Sequence, residues 1–117
     1  MREYVVAAYV NVDRDAFDGY KASHPLATAD DLTFRVDAPT DMDAAERAWV
    51  IGQRMDADLD DRRWPADVRS SNVGDVFEVQ DGDAKSFFVC EPADWRALRD
   101  LPNPLVPIEG TRATSRI

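Results

Sequence analysis

The sequence predicts a small single-domain α+β protein with an antiparallel or mixed sheet of about four strands, one main helix packed on it and a short C-terminal helix. A length of 117 residues suits one domain. Thr40 precedes the one long helical pattern, and Asp81-Gly82 separates two apolar runs in the manner of a hairpin turn. We expect residues 1–102 to form the domain and residues 103–117, which contain Pro104 and Pro107, to be an extended or disordered tail.

Two strands are predicted in the first third of the chain. Residues 3–12 carry apolar side chains on both faces, which is typical of a central strand that is covered on both faces. Residues 31–38 alternate apolar and polar side chains, which predicts a strand with one wet face. The segment between them, residues 13–28, predicts a short helical turn and then a loop, with Phe17 and Tyr20 directed toward the core.

The main helix is predicted over residues 41–55. Pro39 ends the preceding strand, and Thr40 has the position and chemistry of an N-cap. Asp41 and Asp43 place negative charge in the first turn, where the helix dipole favours it. Gly52 costs about 1 kcal/mol in a helix interior, so we expect it to allow a close approach to the sheet.

A hairpin over residues 75–90 and a C-terminal helix complete the predicted fold. Trp95, Leu98 and Leu101 recur at three-residue spacing, which predicts a short helix that covers the hairpin. The single cysteine, Cys90, is expected in the core at a strand end, and the single histidine, His24, is expected at the surface. The predicted core residues are Val6, Val10, Phe34, Val36, Trp49, Phe77, Phe88 and Trp95.

The chain is strongly acidic, with 23 acidic and 14 basic residues and a net charge of -9. Such a charge repels nucleic acid and anionic membranes, so direct binding to either is not expected. A lone cysteine cannot form an internal disulfide, which favours the cytoplasm. The thiol and an exposed hairpin edge would permit a homodimer. Most of the acids are Asp and most of the bases are Arg, a bias typical of a high-GC or salt-adapted genome.

The sequence shows no motif for a cofactor or a catalytic centre. It contains no glycine-rich phosphate loop, no metal-spaced Cys/His set and no serine-nucleophile elbow. Several aspartates have the spacing of a calcium-binding loop, but Asp61 stands where that loop needs glycine. We therefore predict no metal and interpret this run as an acidic face, formed by Asp56, Asp58, Asp60 and Asp61. The chain is predicted not to be an enzyme, and a small enzyme that uses Asp and Arg side chains remains an alternative.

A basic and aromatic group stands out within this acidic chain: Arg62, Arg63 and Trp64. Arg and Trp are enriched at the energetic centres of protein interfaces, so the group is a candidate partner-binding site. The alternative is that Trp64 packs on the core while the arginines pair with nearby aspartates.

The segment from Arg69 to Val76 reads Arg-Ser-Ser-Asn-Val-Gly-Asp-Val and precedes the predicted hairpin. It resembles the R-S-x-S-V-G-D-V signature of small YodL-like proteins of bacteria, plasmids and phages. The similar order of strand, acid-rich helix and hairpin extends over residues 32–90. Asn72 replaces the usual serine, and Cys90-Glu91-Pro92 replaces the aromatic-glycine ending. The resemblance implies a fold and a mobile-element setting, with no assigned activity.

The same segment also has a reading that does not depend on the family. Gly74 can adopt a positive φ in a turn that starts a strand, and Asp75 can accept backbone N–H groups across that turn. A partner-binding role for Arg69, Asn72 and Asp75 is the alternative.

These observations favour a non-enzymatic accessory protein of a phage or other mobile element that acts by binding a host protein. The alternative is an acidic nucleic-acid mimic, which would place carboxylates in the basic groove of a DNA- or RNA-binding host protein. Binding that weakens steeply with salt would distinguish mimicry from an apolar interface.

Overall fold

The computed structural model describes residues 1–53, 63–101 and 103–108, and within them one helix packs on a six-stranded sheet. The α+β class and the main helix are confirmed, whereas the prediction of about four strands is wrong. Short 3-10 turns occur at Ala16–Asp18 and Asp30–Leu32. The helix and strands, in chain order, are β1 Arg2–Asn11, β2 Leu26–Ala27, β3 Thr33–Ala38, α1 Asp41–Gln53, β4 Val76–Asp81, β5 Ala84–Cys90 and β6 Trp95–Leu98.

β1 is the central strand of the sheet. It pairs with β4 along one edge, while β3 and then β2 share the other edge. β5 and β6 extend the sheet beyond β4, and every pairing between these strands is antiparallel. The central position of the first strand is confirmed, because β1 has strand partners at both edges. The expected cover on both faces is only partial: one face is buried, whereas Val5, Ala7 and Tyr9 on the other face are half-buried.

The N-terminus of α1 has the predicted cap. The Thr40 hydroxyl accepts the Asp43 N–H at 3.2 Å and donates to the Asp43 carboxylate at 2.9 Å. Gly52 allows a close approach, but to the segment after the helix and not to the sheet. A Cβ atom there would lie 2.7 Å from the Cβ of Ser71 and 2.9 Å from the Trp64 ring.

The core and the hairpin agree with the sequence prediction. Six of the eight predicted core residues are buried, while Trp49 and Trp95 are half-buried and meet edge to face at 6.5 Å between ring centres. β4 and β5 pair from Val76 opposite Val89 to Asp81 opposite Ala84. Gly82 adopts a φ of 60°, as the tight turn requires.

The predicted C-terminal helix is instead the edge strand β6. The Glu91 N–H donates to the Asp94 carbonyl at 2.8 Å, which closes a turn and returns the chain along β5. Trp95 then packs on the helix-covered face against Phe77 and Trp49, while Leu98 joins the cluster on the opposite face. The two side chains therefore serve opposite faces of a sheet, although their spacing also fits one face of a helix.

The segment between β1 and β2 differs in part from the prediction. Tyr20 is buried as expected, but Phe17 is 65% exposed and His24 is only 4% exposed. Residues 103–108 run beside β2, where the Leu26 N–H donates to the Pro104 carbonyl and the Val106 N–H donates to the Leu26 carbonyl, both at 2.9 Å. Among the residues that the structure describes, a helix with the length and apolar composition of a membrane span is not found.

Candidate functional site

The loop that leads into β4 is held by a fully buried carboxylate, Asp75. Its Oδ1 accepts from Arg69 Nη2 at 2.6 Å and from the Asn11 N–H at 2.8 Å. Its Oδ2 accepts from Arg69 Nη1 at 3.1 Å and from the Asn72 N–H at 2.8 Å. Burial raises the pKa of Asp75, while the Arg69 charge and the backbone donors oppose that rise. Because all four contacting groups, from three residues, are N–H donors, the geometry fits the carboxylate form. The predicted acceptance of backbone N–H groups is confirmed.

Arg69 connects this loop to the end of β1. Besides its two bonds to Asp75, it donates from Nη1 to the Ser70 carbonyl at 2.7 Å and from Nη2 to the Asn11 carbonyl at 2.8 Å. These four bonds use all the N–H groups of its two terminal nitrogens. The guanidinium therefore positions the loop and has no terminal N–H left for a ligand.

Asn11 links the loop to the buried histidine. Its side-chain Nδ2 donates to the Gly74 carbonyl at 3.0 Å, and its Oδ1 accepts the Asp13 N–H at 3.0 Å, which fixes the orientation of the amide. The same Nδ2 lies 3.1 Å from Nδ1 of His24, so that ring nitrogen must be an acceptor. The ring proton is consequently on Nε2, which lies 3.7 Å from an Asp13 carboxylate oxygen.

Gly74 has the positive φ that the sequence predicts, at 92°. A Cβ atom at this position would lie 2.9 Å from the Ala16 carbonyl and 3.2 Å from Asn11 Nδ2. The absence of a side chain therefore lets the loop contact the Ala16–Asp18 turn.

A cleft of about 400 Å³ adjoins this network, between residues 11–17, the loop at 69–73 and residues 106–107. Its lining includes three large apolar side chains that are exposed to solvent: Val12, Phe17 and Val106. These three residues could not be recognised as a site from the sequence. Their clustering depends on contacts between distant parts of the chain, and the sequence carries no signal for it beyond the apolar character of each residue.

The structure places the predicted partner-binding residues in different surroundings. Arg69 and Asn72 line the cleft, whereas Asp75 lies beneath it. Trp64 is buried, stacks on Phe34 at 5.8 Å and donates from Nε1 to the Arg69 carbonyl at 2.8 Å. Arg63 is exposed and donates to the Arg35 carbonyl at 2.6 Å, so it contacts the edge strand β3.

Other predicted residues lie outside the described residues: Arg62, Asp56, Asp58, Asp60 and Asp61. In the calcium-loop pattern Asp67 would occupy the twelfth position, and this residue lies within the described chain. Among the residues that the structure describes, no group of three or more His, Cys, Asp or Glu side chains is arranged to hold a metal ion.

Comparisons with known proteins do not assign this chain to a family. The YodL-like resemblance therefore remains a prediction from the sequence. No protein-family model, no curated protein and no solved structure matches this chain.

Proposed function

We propose that this chain is a non-enzymatic accessory protein that binds a partner protein through the cleft. The observation that carries the proposal is the grouping of Val12, Phe17 and Val106 around one concave surface while all three remain exposed. Exposed apolar side chains that cluster on a protein surface are typical of binding sites, whereas isolated ones are ordinary.

The polar groups near the cleft support a binding role over a catalytic one. The Asp75 carboxylate and the two terminal nitrogens of Arg69 bond to each other and to the backbone, so these atoms are already used within the protein. His24 contacts the Asn11 amide through Nδ1 and faces the Asp13 carboxylate with Nε2. It is not among the residues that line the cleft. A general acid or base must come within hydrogen-bond reach of its substrate.

The proposed setting is a phage or other mobile element, with a host protein as the partner. This part of the proposal rests on the YodL-like resemblance of Arg69–Val76 and on the small size of the chain. The nucleic-acid mimic remains the alternative. It rests on nine aspartates spread along the chain: Asp13, Asp15, Asp18, Asp41, Asp43, Asp56, Asp58, Asp60 and Asp61. The first five lie within the described ranges, and the last four lie outside them.

The test is affinity capture from a high-GC bacterial lysate with the tagged full-length chain and two matched variants. Phe17→Ser removes an exposed side chain from the cleft, whereas Val50→Ser removes a 44% exposed side chain from α1, whose residues do not line the cleft. Because both positions are exposed, the melting temperatures should stay close to that of the parent. We expect a protein that the parent and Val50→Ser retain and Phe17→Ser loses.

Capture is repeated at low and high salt, with mass spectrometry to identify the retained protein. Equal capture by the parent and Phe17→Ser would overturn the cleft as the binding surface. If that Phe17-independent capture also disappeared at high salt and the protein bound nucleic acid, mimicry would replace the present proposal.

A further inference from the structure

We infer that the occupant of the cleft is a protein segment that presents a large apolar side chain next to Lys or Arg. This inference rests on the proposed function and names the chemistry of the partner. It combines the exposed apolar lining with the sign of the charge around it.

Phe17 is the most exposed of the three apolar side chains Val12, Phe17 and Val106. Its ring is 65% exposed, and Val12 and Val106 beside the same cleft are 38% and 36% exposed. Burying an aromatic side chain removes roughly 150–250 Å² from water, which provides most of the favourable energy of a small interface. The cleft volume of about 400 Å³ lies near the lower end of ligand-site volumes, which are roughly 300–1,000 Å³. It therefore suits one or two side chains of an extended segment.

The charge around the cleft is negative. Asp13 and Arg14 both line the cleft, and Asp15 and Asp18 stand beside the lining residues Ala16 and Phe17. Residues 13–18 therefore carry three acids and one base. The second lining arginine, Arg69, is neutralised by Asp75 at 2.6 Å.

The Asp13 carboxylate can contact a cation from the partner. Its side chain is 31% exposed, and its Oδ1 accepts the Asp15 N–H at 2.8 Å. Within the described part of the chain, no hydrogen bond uses its Oδ2. A Lys or Arg beside the apolar group would reach this oxygen, and the net charge of -9 would steer it there.

The same charge disfavours two other occupants. Phosphate groups of a nucleic acid or a lipid surface would meet three carboxylates, those of Asp13, Asp15 and Asp18, against the single base Arg14 in the same segment. A second copy of this chain would bring the same three carboxylates into a symmetric contact, where like charges oppose each other.

The test uses the isotope-labelled full-length chain and three short synthetic peptides of equal length, followed by NMR. The first peptide alternates lysine with phenylalanine and leucine, the second has glutamate in place of lysine, and the third has serine in place of the apolar residues. We expect only the first to shift the amide signals of Val12, Phe17 and Val106. Its affinity should fall at least about tenfold in Phe17→Ser and remain unchanged in Val50→Ser.

Charge is tested with a matched pair of variants that change net charge equally. Asp13→Asn keeps an acceptor for the Asp15 N–H and should weaken the basic peptide about two- to fivefold. Asp37→Asn is the control. Asp37 lies on β3 opposite Glu3, near the start of β1, whereas the cleft adjoins Asn11 at the end of β1. Equal or tighter binding of the glutamate peptide would overturn the inference, as would an absence of binding by all three peptides.

The outcomes distinguish this inference from the proposed function. Phe17-dependent capture of a host protein, together with preference for the glutamate peptide, would leave the proposed function standing and overturn only the basic partner. Binding by the serine peptide would overturn the apolar requirement. Concentration-dependent shifts of Val12 and Phe17 without any peptide would overturn the inference in favour of a second copy of the chain.

Discussion

Asp75 and Arg69 are six residues apart in the sequence and form a two-pronged ion pair at the cleft, with Nη2–Oδ1 and Nη1–Oδ2 distances of 2.6 and 3.1 Å. The carboxylate is fully buried, whereas the arginine side chain is 23% exposed. The same two residues bond to Asn11 and Asn72, so one pair joins the end of β1 to the loop before β4.

Asp75→Asn should destabilise the fold by about 3–5 kcal/mol, because the new amide NH₂ faces donors and the Arg69 charge loses its partner. Urea unfolding measures the change. The control is Glu3→Gln, which breaks the exposed 3.1 Å pair with Arg35 and should cost less than about 1 kcal/mol.

A double variant separates the ion pair from general packing at this site. Arg69→Met combined with Asp75→Leu removes both charges, so its loss of stability should be smaller than the sum of the two single losses. If the free energy of unfolding of Asp75→Asn instead stayed within about 1 kcal/mol of the parent value, the ion pair would not be what stabilises the loop.

Gly74→Asn should destabilise the protein by about 1–3 kcal/mol, whereas Gly82→Asn should be nearly neutral. Both glycines have positive φ, at 92° and 60°, and asparagine tolerates the left-handed region. A side chain at Gly74 would also meet the Ala16 carbonyl at 2.9 Å, while nothing lies within 4 Å of the corresponding position at Gly82. Chemical denaturation of the two variants measures the difference. Equal losses would mean that backbone strain alone, and not the contact with Ala16, makes glycine necessary at position 74.

The turns and the hairpin could be predicted from the sequence because their determinants are local. Asp81-Gly82 carries its own turn chemistry, and the Thr40 cap lies within three residues of the N–H that it accepts. The strand β6 could not be predicted in this way. The spacing of Trp95 and Leu98 fits a helix, and the free edge of β5, which selects the strand, is a property of the assembled sheet.

The site shows the same division between local and long-range determinants. The turn chemistry of Gly74 and Asp75 follows from their residue types. The burial of His24 does not, because its partner Asn11 lies 13 residues away and its neighbour Asn103 lies 79 residues away. The cleft likewise combines residues from the end of β1, the loop before β4 and the C-terminal segment.

Cys90 should react slowly with a thiol reagent such as DTNB in the native protein. Burial, with a smaller effect from Asp75 and Glu91, raises the pKa of its thiol from 9.0 to about 11. At pH 8 about one thiol in a thousand would be ionised, against about one in ten at the ordinary value, so the rate should fall about 100-fold before steric protection is added. Absorbance of the released thiolate measures the rate, and unfolding in urea should restore it. Rapid native reaction at pH 8 would contradict the burial of this side chain at the end of β5.

Tyr9 should ionise only under strongly alkaline conditions and should make stability depend on pH there. Burial, together with the hydrogen bond from its hydroxyl to Glu78 at 3.0 Å, raises its pKa from 10.0 to about 12. Between these two values the unfolded chain has lost the proton that the native state keeps. The contribution to the unfolding free energy is therefore fully present below about pH 10 and is lost as the pH rises toward 12. Urea unfolding of the parent and Tyr9→Phe measures this slope, which should be shallower in the variant.

The variant Glu78→Gln separates the effect of the Glu78 carboxylate on the pKa of Tyr9 from the effect of burial. This change removes the negative charge but leaves the position of Tyr9 in β1 unchanged. The pKa of Tyr9 should therefore fall toward 10, and it should stay above 10 because the side chain is still buried. NMR of the Tyr9 Cζ carbon follows the ionisation of this one side chain. An unchanged midpoint in Glu78→Gln would assign the whole shift to burial, and a midpoint near 10 in the parent would contradict the hydrogen-bonded, half-buried hydroxyl.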